Sequence, residues 1–399
     1  MNWPQIDLGD IAEFRNGLNY TKDSEGTGLR IISVKDFGNK FLPKYEELDE
    51  INPNGILRNE ALLKHGDIIF VRSNGNKDLV GRSLFINNPP DNVSFSAFCI
   101  RVRMDESVNP RFYAYFFKTP NFRKKLSLLG RGTNISNLNQ QVLRRLEVPN
   151  PLQPVKSKVV KLICSYDDLI ENNRRRIALL EQAARLLYKE WFVHLRFPGH
   201  EHVRITDGVP EGWERKTLGD LCSEVRELVE PDAVRFDTPY IGLEHILRRS
   251  ISLNEWGRAD QVTSSKHIFR EGDILFGKIR PYFHKVGVTF IDGITSSDAI
   301  VIRSRDPVLH SLILMTLSSD PFVAVTAQTM REGSKMPRAD WKQMQAYPIM
   351  LPPYKILSGF EAIIGSIVDQ LKTLSFTNRR LSKARDLLLP RLMNGEIAV

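Results

Sequence analysis

Cysteine is scarce in this 399-residue chain, and the three that occur, Cys99, Cys164 and Cys222, stand far apart with no CxxC pair among them. An odd number without pairing argues against a disulfide framework and suits a reducing, cytoplasmic setting; it also leaves structural zinc unexpected. Long apolar runs are missing too. No stretch of eighteen apolar residues exists to span a bilayer, so no membrane partner is expected, and Met1–Asp10 lacks the basic-then-apolar pattern of a signal segment. What remains, 42% hydrophobic and 26% charged residues, is the balance of a globular chain long enough for two or three domains.

Negative charge is in deficit. Lys and Arg number 56 against 47 Asp and Glu, leaving a formal charge of +9 and a sequence pI near 9.4. Such an excess favours polyanionic partners, because neutralising phosphates supplies most non-specific nucleic-acid affinity.

From Pro154 to Leu195 apolar residues recur in steps of three and four. Val155, Val159, Leu162, Tyr166, Ile170, Ile177, Leu180, Ala184, Leu187 and Trp191 form the series, with Asn173 in the slot between Ile170 and Ile177. That is the seam of a long helix laid along another helix. At ~1.5 Å per residue it is roughly 60 Å long, more than a small globular core needs. A second such helix begins near Tyr354, with Leu357, Phe360, Ile364, Ile367, Leu371, Leu374, Leu381 and Leu388, and with Asn378 between Leu374 and Leu381. Asn173 and Asn378 either form a buried pair that fixes register or face outward. The basic runs Arg174–Arg176 and Arg379-Arg380 read as solvated helix faces, with phosphate contact as the alternative.

Each helix follows a stretch of similar size rich in short β-type runs and turn formers. Strands are expected at Arg30–Val34, Asp67–Val71, Ser83–Ile86 and Ala97–Val102, and short helices at Phe112–Phe117 and Phe122–Leu129. A linker of turn composition covers residues 196 to 212. Then the first part returns. Trp3, Leu8, Gly9 and Asp10 match Trp213, Leu218, Gly219 and Asp220, and Ile32 and Val34 match Ile241 and Leu243. Gly66-Asp-Ile-Ile-Phe70 matches Gly272-Asp-Ile-Leu-Phe276, Val80-Gly81 is aligned with Val286-Gly287, and Arg131-Gly132 finds a looser echo in Arg331 and Gly333. Ordered landmarks with a drifting offset are the mark of a duplicated domain with loop indels. The loops between them differ: Arg72-Ser-Asn-Gly-Asn-Lys-Asp78 follows one strand and Lys278-Ile-Arg-Pro-Tyr-Phe-His-Lys285 its counterpart.

Motifs of catalysis are sparse. There is no GxxxxGK[ST] loop for ATP and no Gly-x-Ser-x-Gly elbow for a nucleophile. Asn88-Pro89-Pro90-Asp91 has Asp91 where an amino-methyltransferase needs an aromatic to stack on a flipped base, and reads as a Pro-Pro turn. His200-Glu201-His202 has the wrong spacing for two metal ligands on one helical face. No catalytic residue and no metal site is expected.

The opening Trp…Leu-Gly-Asp of each repeat resembles a known family, as does the central Leu187-Tyr-Lys-Glu-Trp-Phe192, Phe197-Pro-Gly-His200 and Gly208-Val-Pro-Glu-Gly-Trp213. The ending Leu388-Leu-Pro-Arg-Leu-Met-Asn-Gly-Glu-Ile397 is similar as well. Together they look like the specificity (S) subunit of a Type I restriction–modification enzyme. The resemblance implies an α/β (α+β) chain with two homologous target recognition domains separated by an antiparallel, coiled-coil pair of long helices in a pseudo-two-fold arrangement. It divides the chain into a first recognition domain at 1–150, a central spacer helix at 151–195, a linker and second recognition domain at 196–352, and a C-terminal helix and tail at 353–399. It further implies a non-catalytic subunit that reads a bipartite site in double-stranded DNA, one half-site per domain, and directs two methyltransferase subunits and the restriction/translocase subunits to it. S-adenosylmethionine, ATP and Mg would belong to those partners, with no cofactor in this chain.

Arg pairs bidentately with guanine and Asn or Gln with adenine, so polar loops are the expected readers. In the first domain these are Arg72, Asn74, Asn76 and Lys77, then Arg131, Thr133, Asn134 and Asn137, with Arg15, Asn16 and Lys22 as a weaker third loop. In the second they are Lys278, Arg280, Tyr282 and Lys285, then Arg331, Ser334, Lys335 and Arg338. Two other functions fit the composition. A self-sufficient DNA methyltransferase would need the donor-binding loop that is missing, and a basic coiled-coil scaffold would bind every duplex alike with steep salt dependence.

Overall fold

The computed structural model describes residues 3–21, 24–38, 40–76, 79–129, 138–260, 262–328 and 338–397. Its contacts divide the chain into two compact units, residues 1–168 with 381–399, and residues 169–380. The division falls inside both long helices rather than at their ends, because each unit is a β-rich domain packed on a part of each helix.

In the first unit a four-stranded antiparallel sheet runs in the order Ala12–Asn16, Cys99–Met104, Ile68–Val71, Ser83–Phe85. A three-stranded sheet places Glu25–Ile32 between Asp49–Ile51 and, in parallel, Val93–Phe95. The strand Ile68–Val71 is buried along its whole length, which is why it is a continuous apolar run without alternation. Its two faces serve different cores. Ile68 and Phe70 join Phe112, Tyr113, Phe117 and Phe122, whereas Ile69 and Val71 join Ile32, Leu84, Val93 and Phe95. The helix Pro110–Phe116 that covers one face starts at Asn109, whose side chain accepts from the N–H groups of Arg111 and Phe112, with proline at the first turn.

The second unit repeats the plan. One five-stranded sheet runs Cys222–Val225, Ala299–Ser304, Ile274–Gly277, Val286–Thr289, Ser252–Leu253; the other runs Leu228–Val229, Lys266–Phe269, Gly293–Thr295, Pro239–Ile241, Gly257–Arg258. Ile274 and Phe276 face the core that includes the helix His310–Leu317, and Leu275 faces the opposite one. Ile32 pairs in parallel with Phe95 as Ile241 does with Thr295, so the matched landmarks occupy equivalent strands. One alignment fails. Phe70 pairs with Ser83 and Phe276 with Val286, so Val286-Gly287 matches Ser83-Leu84 and not Val80-Gly81. Hydrogen bonds fix that register, and they show the loop after the strand to be eleven residues in one unit (72–82) and eight in the other (278–285).

The central helix spans Gln153–Tyr188 and continues as a π-turn at Lys189–Val193; the C-terminal helix spans Tyr354–Met393. In the second unit they run antiparallel, with Asn173 against Asn378 at one end and Trp191 against Phe360, ring centroids 5.6 Å apart, at the other. Ile170, Asn173, Ile177, Phe360, Ile364, Leu371 and Leu374 are buried there, and Leu180, Leu187, Ile367 and Asn378 are partly so. Asn173 and Asn378 face each other rather than outward. The charged Glu181 is also buried on this stripe, its Oε1 accepting from the Ile251 and Ser252 N–H groups at 3.1 Å each and from the Ser250 and Ser252 hydroxyls at 2.7 Å each.

In the first unit the seam shifts by one residue. Leu162 is exposed and Ile163 is fully buried; Leu388 is half-buried and Leu389 is 8% exposed. The physical reason is that Val159 and Ile163 share a core with the recognition domain as well as with Leu389, Leu392 and Met393, so two surfaces set the buried stripe. Tyr166 and Leu381 are half-buried. Arg385 donates to Asp167 at 2.7 Å, and Trp3 donates its indole N–H to the Leu392 carbonyl.

Among the described residues no single helix is long and apolar enough to cross a membrane; the bent pair Pro307–Leu317 and Asp320–Gln328 passes by composition together. Most of its first member is buried in the core of the second unit.

Candidate nucleic-acid interface

The candidate loops stand on a duplicated clamp. In the first unit Asp67, 1% exposed, receives Nε and Nη2 of Arg103, both at 2.7 Å, and the Lys64 N–H. In the second, Asp273 receives Nε and Nη2 of Arg303 at 2.7 Å each, and the Arg270 N–H. A bidentate guanidinium–carboxylate pair with further backbone donors is a strong and directional tie. The carboxylate keeps each arginine above its ordinary pKa. It ties Ile68–Val71 to Cys99–Met104 in one unit and Ile274–Gly277 to Ala299–Ser304 in the other, at the strand ends opposite those from which the loops leave.

Those loops converge. In the first unit the Arg72 N–H donates to the Phe98 carbonyl at 2.7 Å, and the Arg72 carbonyl accepts from the Leu138 N–H at 2.7 Å. Leu18 bridges to Ser96, and Gln140 donates to Asn16 Oδ1 at 3.1 Å. Four segments far apart in sequence therefore meet at one edge. In the second unit the Lys278 N–H donates to the Asp298 carbonyl at 2.7 Å, the Lys278 carbonyl accepts from the Ala339 N–H, and Ile279 bridges to Arg338. The same edge is built twice from unlike residues.

The side chains fare differently. Arg72 is half-buried; Asn74 turns its Oδ1 onto the Asn76 N–H at 2.7 Å, shaping the loop with its acceptor. Arg15 is paired with Glu60 at 2.7 Å. Arg280 is exposed with a left-handed φ of 49°, and Tyr282 is 49% exposed beside Phe283. Lys278 is half-buried, and Arg338 pairs with Asp298 at 3.4 Å. Lys285 departs from expectation. Its ammonium donates to the Leu243 carbonyl, and burial lowers its pKa, so it ties the loop down instead of projecting from it. Arg379 stays on the exposed helix face expected of it, with its guanidinium 3.8 Å from the Trp256 ring centroid. Lys22, Lys77, Arg131, Thr133, Asn134, Asn137, Arg331, Ser334 and Lys335 lie outside the described residues.

Three residues at this edge escaped the reading of polar loops. Phe98 is 62% exposed at the turn that holds Arg72. Arg226 pairs with Glu224 at 2.6 Å at the end of the edge strand. His267 is driven toward its neutral form by burial and by Lys278. The recurring Ser96-Ala-Phe-Cys-Ile100 and Ser296-Ser-Asp-Ala-Ile300 was the available signal, at an offset of 200.

The model of the "Type I restriction modification DNA specificity domain" matches this chain twice, at residues 1–182 and 210–384. The chain belongs to that family. Among relatives of this specificity family, a putative type I restriction enzyme MjaX specificity subunit from Methanocaldococcus jannaschii is 24% identical, covering 100% of this chain and 94% of the relative. The EcoKI specificity subunit of Escherichia coli K12 is 23% identical, covering 95% of this chain and 84% of the relative. The crystal structure of a type I restriction–modification S subunit from M. genitalium shares the fold, with a TM-score of 0.57 at 12% identity over 98% of this chain and 96% of that one. The specificity domain's two matches each take in one β-rich unit and reach into a long helix.

Proposed function

We infer that this chain gives DNA sequence specificity to a type I restriction–modification assembly, one unit reading each half of a bipartite site, and that it does no chemistry itself. The observation that carries this is the duplicated clamp, Asp67–Arg103 and Asp273–Arg303, beneath two loop edges of unlike composition. Family membership fits it, as does the net charge of +9, which suits a phosphate-lined partner. A single chain with two different readers recognises an asymmetric sequence, which a symmetric dimer does not. Its partners on this reading are double-stranded DNA, two methyltransferase subunits that use S-adenosylmethionine, and restriction/translocase subunits that use ATP and Mg.

Co-expression with the methyltransferase subunit, followed by mapping of methylated adenines, tests the reading. A split motif with a fixed gap is expected. Methylation without a sequence motif, or methyl transfer by the purified chain alone, would overturn it.

A further inference from the structure

We propose that Phe98 is a specificity-determining residue of the first unit, making an apolar contact with the 5-methyl group of a thymine in the half-site that unit reads. The proposal rests on the DNA-reading function above and deepens it. The turn Ser96-Ala97-Phe98-Cys99 is fixed at every residue by its backbone. The Ser96 N–H donates to Ile32 O at 2.9 Å, Ala97 N–H to Leu18 O at 2.8 Å, and Cys99 N–H to Ser96 O at 2.9 Å. The Phe98 carbonyl accepts from both Arg72 (2.7 Å) and Ser73 (3.3 Å). On that rigid support the phenyl ring is left 62% exposed, beside a loop whose arginine is a candidate base reader.

Because its turn is held by main-chain bonds and its ring lies outside the core, Phe98 presents a large apolar surface to a partner at this edge without cost to the fold. The second unit supplies the control. Its turn Ser296-Ser297-Asp298-Ala299 closes the same way, with Ala299 N–H to Ser296 O at 3.1 Å and Lys278 N–H to Asp298 O at 2.7 Å, yet the equivalent side chain is an aspartate paired with Arg338. One backbone position thus carries a phenyl ring in one reader and a carboxylate in the other. That is the pattern expected of a position that touches the variable ligand and not the common scaffold. Of the features on the major-groove edge of a base pair, the thymine methyl is the apolar one, and Phe is among the side chains that meet it.

The test uses the complex of this chain with its methyltransferase subunits and short duplexes carrying its mapped site. Each thymine of both half-sites is replaced in turn by uracil, which lacks only the methyl, and affinity is measured at one salt concentration. At one position uracil should weaken binding by the wild type about fourfold, the worth of one buried methyl group. Phe98→Ala should lose that sensitivity while keeping its preferences elsewhere, and Phe98→Leu, which keeps an apolar tip, should retain most of it. Both variants should melt with the wild type, the ring being outside the core. Uracil tolerated everywhere by the wild type, or a sensitivity that survives in Phe98→Ala, would overturn the proposal. So would a Phe98→Ala loss that is uniform across duplexes, which indicates a wedge between base steps. A wild-type complex indifferent to every base change would instead remove the DNA-reading function itself.

Discussion

Asn173 donates from its side-chain amide to Asn378 Oδ1 at 2.9 Å, and Asn378 donates onward to the Ile170 carbonyl at 3.3 Å. With Asn173 only 7% exposed, the pair is a polar lock set in an apolar helix seam. Replacing Asn378 leaves the buried Asn173 amide without this partner, at a cost of about 1–3 kcal/mol. Replacing both with leucine restores an apolar seam and should recover most of that loss, while relaxing the register that the amides specify. A double-mutant cycle on Asn173→Leu and Asn378→Leu by chemical denaturation checks this. Additive losses would show that the two side chains are not coupled.

The Asp67–Arg103 clamp should be local in its effect. Asp67→Ala removes the partner of a half-buried guanidinium and of the Lys64 N–H, and about 3–5 kcal/mol of destabilisation is expected. Amide hydrogen exchange should accelerate across residues 12–104 and stay unchanged across 214–351. Asp273→Ala should give the mirror result. Equal acceleration in both stretches would contradict the division into two units.

Lys118 predicts a pH dependence. Its ammonium donates to the Lys40 and Ser83 carbonyls, and burial pushes its pKa from 10.5 down to about 8. Between those values the unfolded chain holds a proton that the folded chain has released. Raising pH through that window therefore stabilises the fold, by at most about 3 kcal/mol. The difference in unfolding free energy between wild type and Lys118→Met, measured at pH 7 and pH 10, should move in favour of the wild type at the higher pH. A constant difference would mean that Lys118 keeps its ordinary pKa.

Base readout should separate by unit. If its guanidinium is bidentate to a guanine, Arg72→Ala costs about 1–3 kcal/mol at one position of one half-site and leaves the other half untouched. Arg280→Ala should do the reverse. Methylation mapping of each variant reads this directly, and an unchanged motif in both would remove these two loops from the interface.

The long helices and the duplication were legible in the sequence because both are written in many residues. Seam residues repeat over some ten turns, and Trp, Leu-Gly-Asp and Gly-Asp landmarks recur in order. What sequence could not show depended on a third surface or on a hydrogen bond. Leu162 and Ile163 are equally apolar, and only the recognition domain packed beside the helix decides that Ile163 goes inside. Val-Gly dipeptides matched Val80 to Val286, but strand pairing put Ser83 there. Lys285 had the composition of a base reader, and the Leu243 carbonyl, 42 residues earlier in the chain, captured it. Phe98 is invisible to polar patterning because its ring carries no hydrogen-bonding group.

The turn at Phe98 is anchored through main-chain atoms, and main-chain hydrogen bonds are indifferent to the side chain they carry. A single codon change there alters what the edge offers to a partner without touching what keeps the domain folded. Diversity of target can thus accumulate on this platform one residue at a time, with stability and recognition free to evolve apart.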